Sequence, residues 1–396
     1  MTTDAYIFDA IRTPRGKGRE GGALNAATPL QLQEALMRAA LQRNSLDGSA
    51  IGDVILGCVT QVGEQGGNIA KVAALTAGLP DSVSGITINR YCTSGLDACN
   101  FAAMKVMTGV DDIVLAGGVE SMSRVPMLSD KASLYLDPAV AKQARFVIMG
   151  LAADLIASLE GITRDECDAY AVRSQQRAAA AQASGAFSNS LIPINGAEQD
   201  ECVRGSVTAE KLATFDPLFT DFGKQGYEVV FKNTFTDLDE FSYVHHAGNS
   251  PGIVDGASLM IVGSAQAGRD NGLKPRARIR AMANSCADAM IALTGGIEAA
   301  DAVLKKAGMS ARDVDLVEFN EAFAATSIKF IRDTGWSDEQ VNVNGGAIAL
   351  GHAMGATGTS LIGTVLDELE RRDLAVGLVS VSGAAGTGTA TIIERV

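Results

Sequence analysis

Two stretches of the chain carry the same pattern of apolar and polar positions. Ser84 to Arg90 alternates and is rich in β-branched residues, which predicts a strand. Ala, Met and Leu then dominate up to Gly109, which predicts a helix with a glycine stop, and Cys92 falls at the junction. Asp112 to Glu120 is an apolar strand running through glycines. Near the C-terminus the succession returns. Val341 to Asn344 alternates, a glycine-rich turn to Gly358 holds His352, and Thr359 to Arg372 puts Leu361, Ile362, Val365, Leu366 and Leu369 on one helical face. Val376 to Ser382 is an apolar strand, Gly383 to Gly388 a turn of small residues, and Thr389 to Ile393 a closing strand. This period is too long for a solenoid. It predicts an α/β fold made by duplication, with the two reactive turns facing one site.

The remaining pattern divides the chain. The first residues, from Met1, read as a strand without the basic and apolar regions of a signal peptide. Leu30 to Asn44 predicts a helix, Gly52 to Gly57 a strand, and Asn68 to Ala77 a helix stopped by Gly78 and Pro80. From Ser121 to Asp255 the chain is more polar and less regular. Within it, Ile148 to Asp154 and Ser174 to Gly185 are helical in composition. Regular alternation resumes with a strand at Ala277 to Ala281, a helix at Gly296 to Ala307 and a strand at Val314 to Phe319. The expected organisation is an α/β half over 1–120, an inserted loop or cap domain over 121–255, and a second α/β half over 256–396.

Composition narrows the function. The net charge of −13 argues against nucleic acid, whose partners present a basic face. No apolar run is long enough to span a bilayer. None of the six cysteines forms a CxxC pair, so neither a zinc site nor a disulfide scaffold is implied, and a reducing cytoplasm is the expected setting. Cys92 stands apart because the start of a helix lowers a thiol's pKa. Thr93 and Ser94 are candidate caps, and Gly95 permits close approach. The plain alternative is a buried small hydrophobe.

Asn89-Arg-Tyr-Cys-Thr-Ser-Gly95, Gly117-Gly-Val-Glu-Ser-Met122, Ala247-Gly-Asn-Ser-Pro-Gly-Ile-Val-Asp-Gly256, Asn320-Glu-Ala-Phe323 and Asn344-Gly-Gly-Ala-Ile-Ala-Leu-Gly-His352 together resemble the thiolase family. The match is collinear from Arg12-Thr-Pro14 to Glu394. The resemblance implies duplicated αβαβα layered domains with an inserted loop domain. It implies acyl transfer between thioesters, with CoA and acyl-CoA as substrates, no permanently bound cofactor and no metal. It implies a homodimer or homotetramer. Cys92 would be the nucleophile and His352, with its near-neutral intrinsic pKa, the base. Asn320 would hold a water beside His352, and the N–H groups of Cys92 and Ala384 would form an oxyanion hole. Met149, Asn249, Ser250, Pro251 and Phe323 would meet the substrate or CoA. Glu321 is either a structural partner or a site residue, and His245 and His246 read as structural or surface histidines.

The sequence also departs from the family pattern. Ser382 stands where the family carries a second cysteine, the base that removes the α-proton in condensation. An alcohol ionises far less readily than a thiol, whose pKa is about 8.5. Ala384 replaces a usual glycine, Pro251 a serine, Ala353 a proline and Ile148 a histidine. The main expectation is a working 3-ketoacyl-CoA thiolase of degradative type. The alternatives are a thiolase-fold enzyme with an altered second half-reaction, or a non-catalytic acyl-CoA-binding subunit.

Overall fold

The computed structural model describes residues 3–396. Met1 and Thr2, where the first predicted strand begins, lie outside the described residues. In chain order the main elements are β1 (Ala5–Arg12), α1 (Pro29–Asn44), β2 (Asp53–Gly57), α2 (Ile69–Ala77), β3 (Ile86–Ile88), α3 (Ser94–Met107) and β4 (Ile113–Ser121). The connection that follows holds α4 (Met149–Glu160) and α5 (Arg164–Ser184). Then come β5 (Val254–Ser264), β6 (Ala277–Cys286), α6 (Gly295–Ala307), β7 (Leu316–Phe319), α7 (Ala324–Thr334), α8 (Met354–Arg372), β8 (Val376–Ser382) and β9 (Thr387–Arg395).

The duplication is explicit in the pairing. In the first half β2 lies parallel between β3 and β4, β4 runs antiparallel to β5, and β5 antiparallel to β1. In the second, β7 pairs in parallel with β8 and bridges in parallel to Val341. There β8 runs antiparallel to β9, and β9 antiparallel to β6. The half-sheets meet where Tyr6 and Ile7 of β1 pair with Arg278 and Ala277 of β6. Hydrogen bonding therefore assigns β5 to the first half. This corrects the expected boundary at 255/256, because β5 completes the first sheet before the second begins.

Apolar packing arranges the layers α/β/α/β/α. Leu32, Leu36, Met37, Ile69 and Ala73 of α1 and α2 pack on one outer sheet face with Leu56, Leu115 and Ile261. Ala299, Val303 and Phe330 of α6 and α7 cover the opposite outer face with Phe319 and Leu378. Between the half-sheets lie α3 and α8, where Leu96, Ala103, Ile362 and Leu366 share one core with Val114, Val262, Val379 and Val381. The inserted segment has its own core of Leu151, Leu155, Phe231 and Phe241, which continues into Leu293 and Ala325 of the second half. Buried Arg12, at the end of β1, grips Asp200 of this segment through paired bonds of 2.7 and 2.8 Å.

Candidate active site

Cys92 and His352 occupy equivalent places in the two halves. Each follows a residue with left-handed backbone, Tyr91 at φ 50° and Gly351 at φ 91°. Each stands two residues ahead of a central helix, α3 or α8. Tyrosine is strained there, and such a conformation persists only where its surroundings over-determine it. Here the Ser94 hydroxyl accepts from the Arg90 N–H at 2.8 Å and donates to the Tyr91 carbonyl at 2.6 Å. Thr93 donates to the Arg90 carbonyl at 2.7 Å. Thr93 and Ser94 thus tie the turn rather than cap the helix, and Thr93 makes no cap bond.

The first turns of α3 and α8 touch backbone to backbone. A Cβ on Gly95 would lie 2.6 Å from the Gly355 carbonyl oxygen, and one on Gly358 would lie 2.3 Å from the Leu96 nitrogen. Only glycine allows this approach. It brings both reactive turns to one place, with two helix N-termini that favour negative charge. The carboxyl ends of the parallel strands β7 and β8 deliver Asn320 and Ser382 to the same edge. The Asn320 N–H donates to the Ser380 carbonyl at 3.0 Å, and a Cβ on Gly383 would lie 3.3 Å from Tyr91 Cβ. Carboxyl edges of parallel strands are where α/β sheets bind ligands.

Unpaired buried atoms mark the convergence. Both amide atoms of Asn320, Nε2 of His352 and Oγ of Ser250 have no partner among the described residues. Buried polar atoms are ordinarily satisfied, so such atoms call for an explanation, and a surface built to receive a polar group supplies one here. Ser250 belongs to this place because the Gly252 carbonyl accepts from the His352 N–H at 3.0 Å.

Burial sets the resting protonation. It pushes the Cys92 thiol up to about 12, with the nearby Glu120 carboxylate adding to the rise. The depressed thiol read from the helix start is therefore corrected, because desolvation outweighs the favourable backbone. His352 is pushed down to about 4 by burial and then by the Arg15 cation. Both groups therefore rest in their neutral forms at neutral pH.

Ser382 is fully buried, and its Oγ accepts from the Gly296 N–H of α6 at 2.9 Å. Ala384 needs no unusual backbone; the left-handed residue of that turn is Ala385, at φ 55°. Asn249 departs from the expected substrate contact. Its amide donates to Asp168 and the Val244 carbonyl and accepts from the His246 N–H, so this fully buried side chain serves the cap. Met149 and Phe323 are partly exposed and border the apolar core of the cap. Pro251 is partly exposed beside Ser250. Glu321 accepts from Tyr170, Ser174, Asn342 and the Ile348 N–H, anchoring the loop ahead of His352. His245 and His246 are not surface groups: both are fully buried, on Asp154 and Asp168 at 2.7 Å.

Three residues escaped the sequence reading. Phe219 lies against Gly150, whose Cβ would meet its ring at 2.0 Å, and stands edge-on to Phe323. Arg15 packs behind the His352 turn: a Cβ on Gly256 would touch both Arg15 Cγ, at 3.5 Å, and Ala353 Cβ, at 3.3 Å. Thr357 bonds the His352 ring. None of the three was legible beforehand, since the sequence placed Thr357 in a turn ahead of the helix. A groove of about 660 Å³ lined by Ile86, Phe101 and Met104 lies elsewhere, at the free edge of β3.

Comparison with known proteins agrees with this architecture. Residues 5–226 match the model of the thiolase N-terminal domain, and residues 273–395 that of the thiolase C-terminal domain. The chain is 42% identical to a 3-ketoacyl-CoA thiolase of Escherichia fergusonii, over 98% of this chain and 99% of the relative. It is equally similar to one of Citrobacter koseri, over 98% of each. The structure superposes on the Bacillus anthracis acetyl-CoA acetyltransferase with a TM-score of 0.86 and 33% identity, covering 100% and 99% of the two chains. It superposes on human mitochondrial 3-ketoacyl-CoA thiolase with a TM-score of 0.87 and 31% identity, covering 99% of each. With the duplicated layers, the paired reactive turns and matches along nearly its whole length, the chain belongs to the thiolase family of acyltransferases.

Proposed function

We propose that this thiolase cleaves 3-ketoacyl-CoA with CoA through an acyl-enzyme on Cys92. The observation that carries the reading is the backbone contact of α3 and α8, the helices that follow Cys92 and His352, and the unpaired buried amide of Asn320 supports it. As the substrate binds, Nε2 of His352 takes the thiol proton and sulfur attacks the 3-keto carbon. The resulting oxyanion is met by N–H donors, for which Cys92 and Ala384 are the candidates, or by Asn320 through a water. The C2–C3 bond breaks, its electron pair passes to C2, and C2 takes the proton held on the His352 imidazolium, which releases acetyl-CoA and restores the neutral ring. Free CoA then gives its thiol proton to His352, attacks the Cys92 thioester and leaves with the shortened acyl group. Cys92 recovers a proton from the imidazolium. Ser250, Pro251, Met149 and Phe323 line the approach for acyl-CoA. Asn249 acts there only through the cap.

Among the described residues no group of three or more His, Cys, Asp or Glu is placed to hold a metal, and the scheme requires none. CoA and acyl-CoA enter it as substrates. No helix is long and apolar enough to cross a membrane; the bacterial relatives support a cytoplasmic setting. A homo-oligomer is supported by the free edge of β3, where Ile86 and Met104 are exposed beside the groove. Cys92→Ala tests the assignment: thiolysis is lost while folding is kept, and persistence of thiolysis would sink it.

A second reading follows from Ser382. Its oxygen is held by the Gly296 N–H, and a hydroxyl is a poor base at neutral pH. In that reading the Cys92 acyl-enzyme forms, but transfer to CoA is slow or goes to another nucleophile.

A further inference from the structure

His352 has two ring nitrogens, and only one has a partner. Nδ1 lies 2.8 Å from the Thr357 hydroxyl oxygen, whereas Nε2 is buried and unpaired. Thr357 is 1% exposed, in the first turn of α8, and its hydroxyl is placed to donate to the Ala353 carbonyl at 3.0 Å. A hydroxyl has a single proton. With that proton on the Ala353 carbonyl, the Thr357 oxygen faces the ring as an acceptor, and Nδ1 supplies the hydrogen. The Ala353 carbonyl also receives the N–H groups of Ala356 and Thr357, so the hydroxyl could turn away from it at little cost. The other end of the ring decides between the forms. If Nδ1 were bare, Nε2–H would be a buried donor with no acceptor, and orphaned buried donors are rarer than buried acceptors left without a donor.

We propose that Thr357 is a positioning residue that fixes His352 as the Nδ1–H tautomer, so that Nε2 presents its lone pair to the reacting thiol. The same bond helps after proton transfer. Once Nε2 is protonated, the Nδ1–H bond to Thr357 becomes charge-assisted and strengthens, which favours the imidazolium over the resting ring. Thr357 therefore acts through His352 and touches no reacting atom. Its catalytic consequence rests on the acyl-transfer reading above. The tautomer itself is a property of the resting protein and is measured without substrate, so the two ideas fail separately.

The test is ring nitrogen NMR of ¹⁵N-histidine-labelled full-length protein at neutral pH, with His352 assigned by its loss in His352→Asn. The expected result is a pyrrole-type Nδ1 and a pyridine-type Nε2; a protonated Nε2 overturns the proposal. Thr357→Val should mix the tautomers and lower kcat about tenfold to a hundredfold, part of the ~10²–10⁴ that acid–base catalysis contributes, with KM nearly unchanged. Thr357→Ser should restore both the spectrum and the rate. A Thr357→Val protein that keeps the wild-type tautomer and kcat also overturns it. The wild-type spectrum decides the tautomer even if that variant folds poorly.

Discussion

Gly355 is the residue on which both reactive turns rest, and replacing it with alanine is a direct test of how they are held. A Cβ there would lie 2.6 Å from the Gly57 carbonyl oxygen, 2.7 Å from that of Val119 and 2.9 Å from Cys58 Cα. Every one of these neighbours is backbone, so no side chain can swing aside. Carbon–oxygen contacts between backbones settle near 3.3 Å, which requires the first turn of α8 to move by ~0.7 Å. Overpacking of this kind costs about 1–3 kcal/mol of stability. His352, three residues ahead, moves with the turn, and a displacement of about 1 Å at a reacting group can cost ~10²-fold in rate. Gly355→Ala should therefore lower kcat/KM for thiolysis by roughly thirtyfold to a hundredfold while the protein remains folded. The assay is acetyl-CoA release with varied 3-ketoacyl-CoA, beside a thermal melt. Gly363→Ala on the same helix is the control, because its Cβ would meet only Ala10, at 3.4 Å or more. Wild-type kcat/KM in Gly355→Ala, or an equal loss in Gly363→Ala, would refute the reasoning.

Two further outcomes follow. Ser382→Cys should raise transfer to CoA by about an order of magnitude or more, since a thiol is a far better proton carrier near neutral pH; no change in single-turnover deacylation would count against a limiting role for Ser382. Arg15→Met should move the titration of His352 upward from about 4, part of the way to its ordinary 6.5. The sign is fixed by charge: removing a nearby cation eases protonation, while burial, the larger cause, still opposes it. An NMR titration that stays put or moves downward would exclude Arg15 as a source of the shift.

How much was legible depended on how local the cause was. The Val376 to Ser382 strand lies where the sequence placed it, and α1, β2 and α2 differ at their ends by a residue. The start of α8 was read late. Met354 to Gly358 is helical although it looks like a turn, because its glycines and small residues serve contact with α3 instead of forming an apolar stripe. The start of α5 carried a readable signal, Thr163 and Glu166 in a capping box, which the reading by composition passed over. Strand β5 went unread, and the domain boundary was misplaced with it. The direction of the Cys92 shift was wrong for a different reason. A helix start is local, whereas the burial that dominates comes from chain far away. Arg15 and Phe219 reach the site only through long-range contacts, and no spacing in the sequence announces them.

The most direct test of the account is intact-protein mass spectrometry of the enzyme mixed with acetoacetyl-CoA or a longer 3-ketoacyl-CoA, with and without free CoA. The account predicts an acyl adduct that maps to Cys92 and disappears when CoA is added. An adduct that survives CoA would contradict the complete cycle and leave the altered second half-reaction; no adduct with either substrate would contradict the assignment of Cys92 as the acyl carrier for these thioesters.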